Sequence, residues 1–268
     1  MKIICPICNC KDLKKFIRYT KPPKVEKDYG IKGKYVREYL KCKNCYHLVS
    51  NQNLINFKRY YQSQYGKVHY KNIDNLKKTF KKIIKYPTSK SDNKNRVNRV
   101  KNFYNIFKTN KKVDLLDVGS GLGVFPYEIK KIGWNCYANE PGIEAANFIK
   151  KKLNIKVFKC NFEKISTNKK FDIITLNKIL EHVNNPVNFL KIAKRLLKPN
   201  GIIYFEVPDG ESALKVSKNC QEFTIEHLTV FAFQSIMSLI NKTNLIPLKI
   251  ERIKEVSGKY TLIAFVKN

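Results

Sequence analysis

Residues Val113 to Phe125 constrain the fold of this chain more than any other segment. A short run, Leu115 to Val118, ends in Gly119, Gly121 and Gly123, and an amphipathic stretch from Phe125 to Lys131 follows. Run, turn and stretch predict a buried strand, a tight glycine turn and a helix, the entry to a nucleotide-binding α/β unit. Glycines matter there because a ligand approaches the backbone closely only where no Cβ intervenes. The dinucleotide-binding fingerprint G-x-G-x-x-G needs a glycine where Val124 stands, so the turn is G-x-G-x-G and disfavours a dinucleotide.

The rest of the chain divides into three. Residues 1–75 carry two cysteine pairs and predict a small zinc-binding lobe. Residues 76–111 are polar, with Leu76, Phe80, Ile83, Ile84, Val97, Val100, Phe103, Tyr104 and Phe107 at helical intervals; they predict two connector helices broken near Pro87. Residues 112–268 alternate strands (114–118, 135–139, 156–159, 171–176, 201–207, 246–253, 260–266) with helices (123–132, 142–153, 186–197, 231–242). Alternation of this kind predicts an α/β fold, a Rossmann-like, mostly parallel seven-stranded sheet with helices on both faces. Only the turn Val256-Ser257-Gly258-Lys259 separates the last two strands, so they should form a C-terminal antiparallel hairpin.

With Asp117 before it, the glycine turn resembles motif I of the class I S-adenosylmethionine (SAM)-dependent methyltransferases. Three further segments agree in order and spacing: Glu140 after the second strand; Leu180-Glu181-His182-Val183 with Pro186 after the fourth; and Leu196 to Pro208. The resemblance covers residues 113–268 and implies a SAM site. Asp117 would lie near the methionine ammonium, Gly119, Gly121 and Gly123 would admit the cofactor, and Glu140 would accept hydrogen bonds from both ribose hydroxyls. Asn161 stands where the family often has an aspartate for the adenine amino group. Phe162 would supply a backbone N–H or an apolar wall, and Asn177 completes the set.

Cys5-x2-Cys8 and Cys42-x2-Cys45 are two pairs at identical spacing. Each can place two thiolates on one turn, and together they predict a closed four-thiolate zinc site with a structural role. Redox pairs or unbound thiols are the alternative. Cys10 and His47 are neighbours that could substitute as ligands, whereas the isolated Cys136, Cys160 and Cys220 read as buried thiols.

Methyl transfer is an in-line displacement, and a hydroxyl or carbon-acid acceptor must also lose a proton. The candidate bases are His182, after the fourth strand, and His227, in Phe223 to Phe231 after the fifth. His69 lies in an aromatic segment with Tyr61 and Tyr65 that could line the acceptor pocket. A four-cysteine lobe with Glu181-His182 and Glu226-His227 resembles the sugar C-methyltransferases, which implies His227 as base, Glu226 as its partner and His182 as a second polar group. Thr224 replaces a tyrosine common in that family, and its large C-terminal domain does not follow the seventh strand here. The resulting expectation is a cytoplasmic methyltransferase of a small carbohydrate-type or phosphorylated acceptor in surface-polysaccharide biosynthesis.

Net charge is +32 with a pI near 9.8, and this keeps a second reading open, a zinc-containing RNA methyltransferase. The basic set is mostly lysine spread along the chain, without an arginine-rich block. No apolar run approaches the roughly 20 residues that span a bilayer, and the N-terminus lacks a signal-like apolar core.

Overall fold

The structure, a computed structural model, describes residues 3–54, 73–107 and 112–268. His69, Tyr61 and Tyr65 lie outside the described residues. Strands β4 (Asp114–Val118), β5 (Asn135–Asn139), β6 (Lys156–Phe158), β7 (Phe171–Asn177), β8 (Leu197–Pro208), β10 (Ile246–Lys254) and β11 (Tyr260–Lys267) form one sheet in the order β10-β11-β8-β7-β4-β5-β6. The pairs β6-β5-β4-β7-β8 are parallel, and β11 runs antiparallel to both β8 and β10. The sheet is therefore Rossmann-like, with the C-terminal hairpin the short turn demanded.

Helices α1 (Ile73–Ile84) and α2 (Asp92–Phe107) are the two connector helices, with Pro87 between them. Val97, Val100 and Tyr104 on α2 are buried against the same layer as Phe125, Ile129 and Trp134. Phe107, at the end of the helix, is instead exposed. Helices α3 (Val124–Lys131), α4 (Ile143–Lys152), α5 (Pro186–Leu196) and α7 (Phe233–Lys242) link the sheet strands; a short α6 spans Gly210–Leu214. Residues 115 and 116 are both fully buried, as a strand covered on both faces requires.

Most boundaries fall within two residues of the periodicity, and the start of β8 departs furthest. Strand β8 starts at Leu197 rather than Gly201, because Leu197 pairs with Phe171 before the register shifts between Phe171 and Ile173. Asn200 takes up the irregularity at φ +60°, and a Cβ on Gly201 would lie 3.0 Å from the Lys198 and Phe171 carbonyl oxygens. This bulge-like start replaced the last helical residue expected from hydrophobic spacing.

The N-terminal segment adds β1 (Leu13–Tyr19), β2 (Arg37–Cys42) and β3 (Leu48–Asn51), an antiparallel sheet whose fourth strand is β9 (Thr229–Val230). The lobe thus pairs directly with the segment that follows His227. Among the described residues no helix is long and apolar enough to cross a membrane.

Candidate active site

The sheet order changes direction at β4, whose neighbours are β5 and β7, and ligands in open α/β sheets gather beyond the strand ends at such a point. The glycine turn lies there. Gly119, Gly121 and Gly123 have φ of +65°, +52° and +71°. At Gly119 a Cβ would fall 2.3 Å from Ile179 Cδ1; at Gly123 it would meet Ile149 and Leu153 at 2.7 and 2.8 Å. Both positive φ and close packing exclude a side chain.

Glu140 ties this turn to the end of β5. Its Oε2 accepts from the Gly121 N–H at 2.7 Å, and its Oε1 from the Gly142 N–H at 2.8 Å. The carboxylate is held in one orientation, and each oxygen keeps a lone pair for a hydroxyl donor. Burial pushes its pKa up to about 7 against the two N–H bonds that favour the anion.

Asp117, at the end of β4, accepts from Thr175 Oγ1 at 2.7 Å and Asn177 Nδ2 at 2.8 Å. Burial raises its pKa to about 6. A cavity of about 170 Å³ opens beside it, walled by Asp117, Gly119, Ser120, Asn177 and, from α2, Asn93 and Arg96. Among the described residues, buried Asn177 Oδ1 has no hydrogen-bond partner, nor has Asn93 Nδ2. A cavity this size with an unsatisfied acceptor next to a carboxylate fits a cationic amino acid group, so the residues present fit SAM. Asn161 is exposed and opens a short 3-10 turn. The Phe162 ring is in the core, 3% exposed and 5.5 Å from Phe189, so of its two expected contributions the apolar wall falls away and the backbone N–H remains.

Sequence reasoning missed the wall supplied by α2. Arg96 bonds Glu206 through Nε at 2.7 Å and Nη2 at 2.6 Å, and Arg99 Nη1 reaches Glu206 at 2.8 Å and Tyr204 Oη at 2.7 Å. The two guanidinium groups hold the Glu206 carboxyl well below the usual carboxylate range. Glu206 pairs with Asn177 across β8 and β7, so this network braces the cavity floor. Two arginines three residues apart, in a chain whose basic residues are mostly lysine, were the available signal.

Past the end of β7, His182 and His227 meet edge to face, with ring centroids 4.9 Å apart. His182 Nδ1 lies 3.0 Å from the Glu226 carbonyl oxygen and His227 Nδ1 lies 2.8 Å from that of Glu222. Carbonyl oxygens only accept, so both Nδ1 atoms carry the proton and both Nε2 atoms are the lone-pair nitrogens. Burial and the neighbouring His182 push the His227 pKa down to about 3, so the ring is neutral. Glu226 meets His182 through its backbone; its side chain is half-buried.

The N-terminal lobe fixes this loop. Arg37 Nη2 donates to the Phe223 carbonyl oxygen at 2.7 Å, Tyr39 Oη to that of His227 at 3.0 Å, and the Ser50 N–H to that of Leu228 at 2.8 Å. Glu26 Oε2 accepts from the Ile225 N–H at 2.7 Å and pairs with buried Arg37 at 3.4 Å.

Cys5, Cys8, Cys42 and Cys45 bring their sulfurs within 4.8 Å of one another, with Cys5–Cys45 at 3.6 Å and Cys8–Cys42 at 3.5 Å. Four thiolates about 2.3 Å from a tetrahedral zinc would be roughly 3.8 Å apart, so the donor set fits that ion. The two turns are alike. Asn9 N–H bonds the Cys5 carbonyl and Tyr46 N–H the Cys42 carbonyl, each at 3.0 Å, with Asn9 and Tyr46 at φ +61° and +59°. His47 is buried against Phe231, 4.7 Å between centroids, and Cys10 bonds around Asp12; neither joins the four sulfurs.

Comparison with known proteins bears on donor and acceptor differently. The chain is 30% identical over 100 residues to the ubiquinone biosynthesis O-methyltransferase of Colwellia psychrerythraea, and 36% over 99 residues to that of Pelagibacter ubique. Each match covers 35% of this chain and 41% of the relative, so the chain spans under half the length of these two relatives. The fold resembles that of magnesium protoporphyrin IX methyltransferase from Synechocystis, solved with S-adenosylhomocysteine (TM-score 0.55, 11% identity, 66% of this chain and 84% of that one). It also resembles a SAM-dependent methyltransferase from Aquifex aeolicus (TM-score 0.53, 19% identity, 73% and 97%).

These relatives correct the expected acceptor. They are named for ubiquinone biosynthesis, not for surface-polysaccharide or RNA methylation, so the carbohydrate-type reading is overturned and the RNA alternative with it. The donor expectation stands: a family model described as a methyltransferase domain matches residues 66–248, more than half of the chain, and the chain belongs to that SAM-dependent methyltransferase family.

Proposed function

We propose that the chain transfers the methyl group of SAM to a hydroxyl oxygen of a ubiquinone precursor. The single observation that carries the acceptor is the similarity to ubiquinone biosynthesis O-methyltransferases. Bound SAM supplies an electrophilic methyl group on a sulfonium leaving group. Glu140, anchored by Gly121 and Gly142, accepts from the ribose hydroxyls. Asp117 and Asn177 face the methionine end, with Gly119, Gly121 and Gly123 admitting the backbone-hugging portion. Asn161 and the Phe162 N–H take the adenine. His182 and His227, with Glu226 holding His182 through its carbonyl, stand at the acceptor and activate its hydroxyl.

Cys5, Cys8, Cys42 and Cys45 hold a structural zinc ion. A closed four-thiolate site leaves no position for water, and it would stabilise a lobe with little core of its own. Residues 1–75 act as that lobe, 76–111 as the connector that walls the cavity, and 112–268 as the catalytic unit. The lobe's sheet in turn positions residues 223–230, and so His227.

Expression in a bacterium lacking its own ubiquinone biosynthesis O-methyltransferase tests the acceptor. Restored ubiquinone in extracted membranes is the expected result. Soluble, SAM-binding protein with no restored ubiquinone would overturn it.

A further inference from the structure

We infer that Asn139 is a positioning residue that sets the base selectivity of the cofactor site. It holds the loop Cys160-Asn161-Phe162 where that loop accepts adenine and rejects a purine that carries a hydrogen at N1. This rests on the reading that Asn161 and the Phe162 N–H take the adenine. Asn139 closes β5 and is 1% exposed. Its carbonyl oxygen accepts from the Ser120 N–H of the glycine turn at 3.0 Å. Its Nδ2 donates to the Phe158 carbonyl at 3.1 Å and to the Cys160 carbonyl at 2.8 Å. The next residue is Glu140, the expected ribose acceptor. One buried side chain and its backbone thus join the glycine turn, the ribose position and the loop after β6.

Strand β6 is the edge of the sheet and only three residues long. Its last ladder pair is Phe158 with Asn139, so no strand pairing reaches Cys160. The Asn139 carboxamide extends the pairing by one further carbonyl. Both of its acceptors are carbonyl oxygens, so it presents nitrogen to them and both of its N–H groups are used. The Phe158 carbonyl also accepts from the Glu140 N–H at 3.2 Å, through its second lone pair. Past Asn161 the chain is pinned again, by the Phe162 ring in the core and by Asn188 Nδ2 donating to Glu163 at 3.2 Å. Asn161 and the Phe162 N–H lie between these two anchors, and Asn139 supplies the first. A polar side chain used wholly on main-chain carbonyls fixes backbone position, and that position decides which edge of a base the Phe162 N–H meets. Adenine N1 offers a lone pair to that donor. Hypoxanthine carries a hydrogen at N1, so donor would face donor.

The test compares S-adenosylhomocysteine with S-inosylhomocysteine by calorimetry, in the unaltered full chain and in Asn139→Ala and the milder Asn139→Ser. The two ligands share the ribose and the amino acid group, so the ratio of their Kd values cancels any loosening that does not touch the base. The unaltered chain should bind the inosyl ligand at least about tenfold more weakly. Each variant should weaken S-adenosylhomocysteine binding by about tenfold and bring the ratio to within about threefold. A ratio unchanged from that of the unaltered chain, in a variant that thermal unfolding shows to be folded, would overturn the inference and leave Asn139 a clamp on the edge strand. Equal binding of the two ligands by the unaltered chain would instead overturn the adenine reading, and the role of Asn139 with it. The two failures are therefore distinct.

Discussion

As the proposed ribose acceptor, Glu140 should make the SAM affinity of this chain depend on pH and on one carboxylate. Burial holds its pKa at about 7 without cofactor. Two ribose hydroxyls donating to it favour the anion, so binding expels a proton wherever the free site is protonated. Taking a bound-state pKa below about 5, the affinity rises roughly tenfold from pH 6 to pH 8, and about half a proton is released per site at pH 7. In Glu140→Gln, one carboxamide oxygen can still accept from Gly121 or Gly142, but the amide nitrogen then opposes the other N–H. Losing charge-assisted bonds of about 1.5–3 kcal/mol raises Kd by roughly 10- to 100-fold and flattens the pH dependence. Titration calorimetry with SAM in buffers of different ionisation enthalpy reads both. Stability follows the same linkage. The folded pKa lies above the ordinary 4.5, so this contribution is fully present below that pH and is lost as pH rises through about 7. The loss is about 3 kcal/mol in the free chain and is recovered by saturating SAM. An unchanged Kd in Glu140→Gln, or a flat profile with no proton release, would refute the assignment.

Further variants test the surrounding parts. Gly119→Ala places a Cβ at φ +65° and 2.3 Å from Ile179 Cδ1; thermal unfolding should show a loss of about 1–3 kcal/mol, and SAM binding should weaken with it. Cys42→Ser should lose the zinc, counted as one per chain by elemental mass spectrometry, and expose the N-terminal segment to protease first; full stability after complete zinc removal would contradict a structural ion. Glu26→Ala leaves the buried Arg37 guanidinium without its carboxylate and should cost about 3–5 kcal/mol in urea unfolding. Because Glu26 also anchors the Ile225 N–H, turnover should fall more than SAM affinity in that variant, and equal losses would break the proposed link from lobe to His227.

Legibility in the sequence followed the range of the interactions. Strand β4, the glycine turn and Glu140 were readable because each depends on a local pattern: a buried run, backbone geometry closed to side chains, and a carboxylate at a strand end. The cysteine cluster was readable from spacing, since both knuckles are short turns with the same hydrogen bonds. The irregular start of β8 was not, because it is set by pairing with Phe171 far along the chain rather than by local periodicity. Arg96, Arg99 and Glu206 were missed for the same reason: their meaning appears only when α2 packs over the strand ends. Glu181 was read as part of a motif, and its buried, unpartnered oxygen emerges only in three dimensions. The acceptor was misread because the histidine pairs and cysteine lobe were taken to report it, whereas the relatives with measurable identity point to ubiquinone biosynthesis.

The most direct test of the central claim is methyl transfer in vitro. Purified chain, SAM and a hydroxylated ubiquinone precursor are incubated together, and the product is followed by mass spectrometry. The account predicts one methyl group gained on oxygen for each S-adenosylhomocysteine formed. Methylation on carbon, or no transfer by chain that binds SAM, would contradict it.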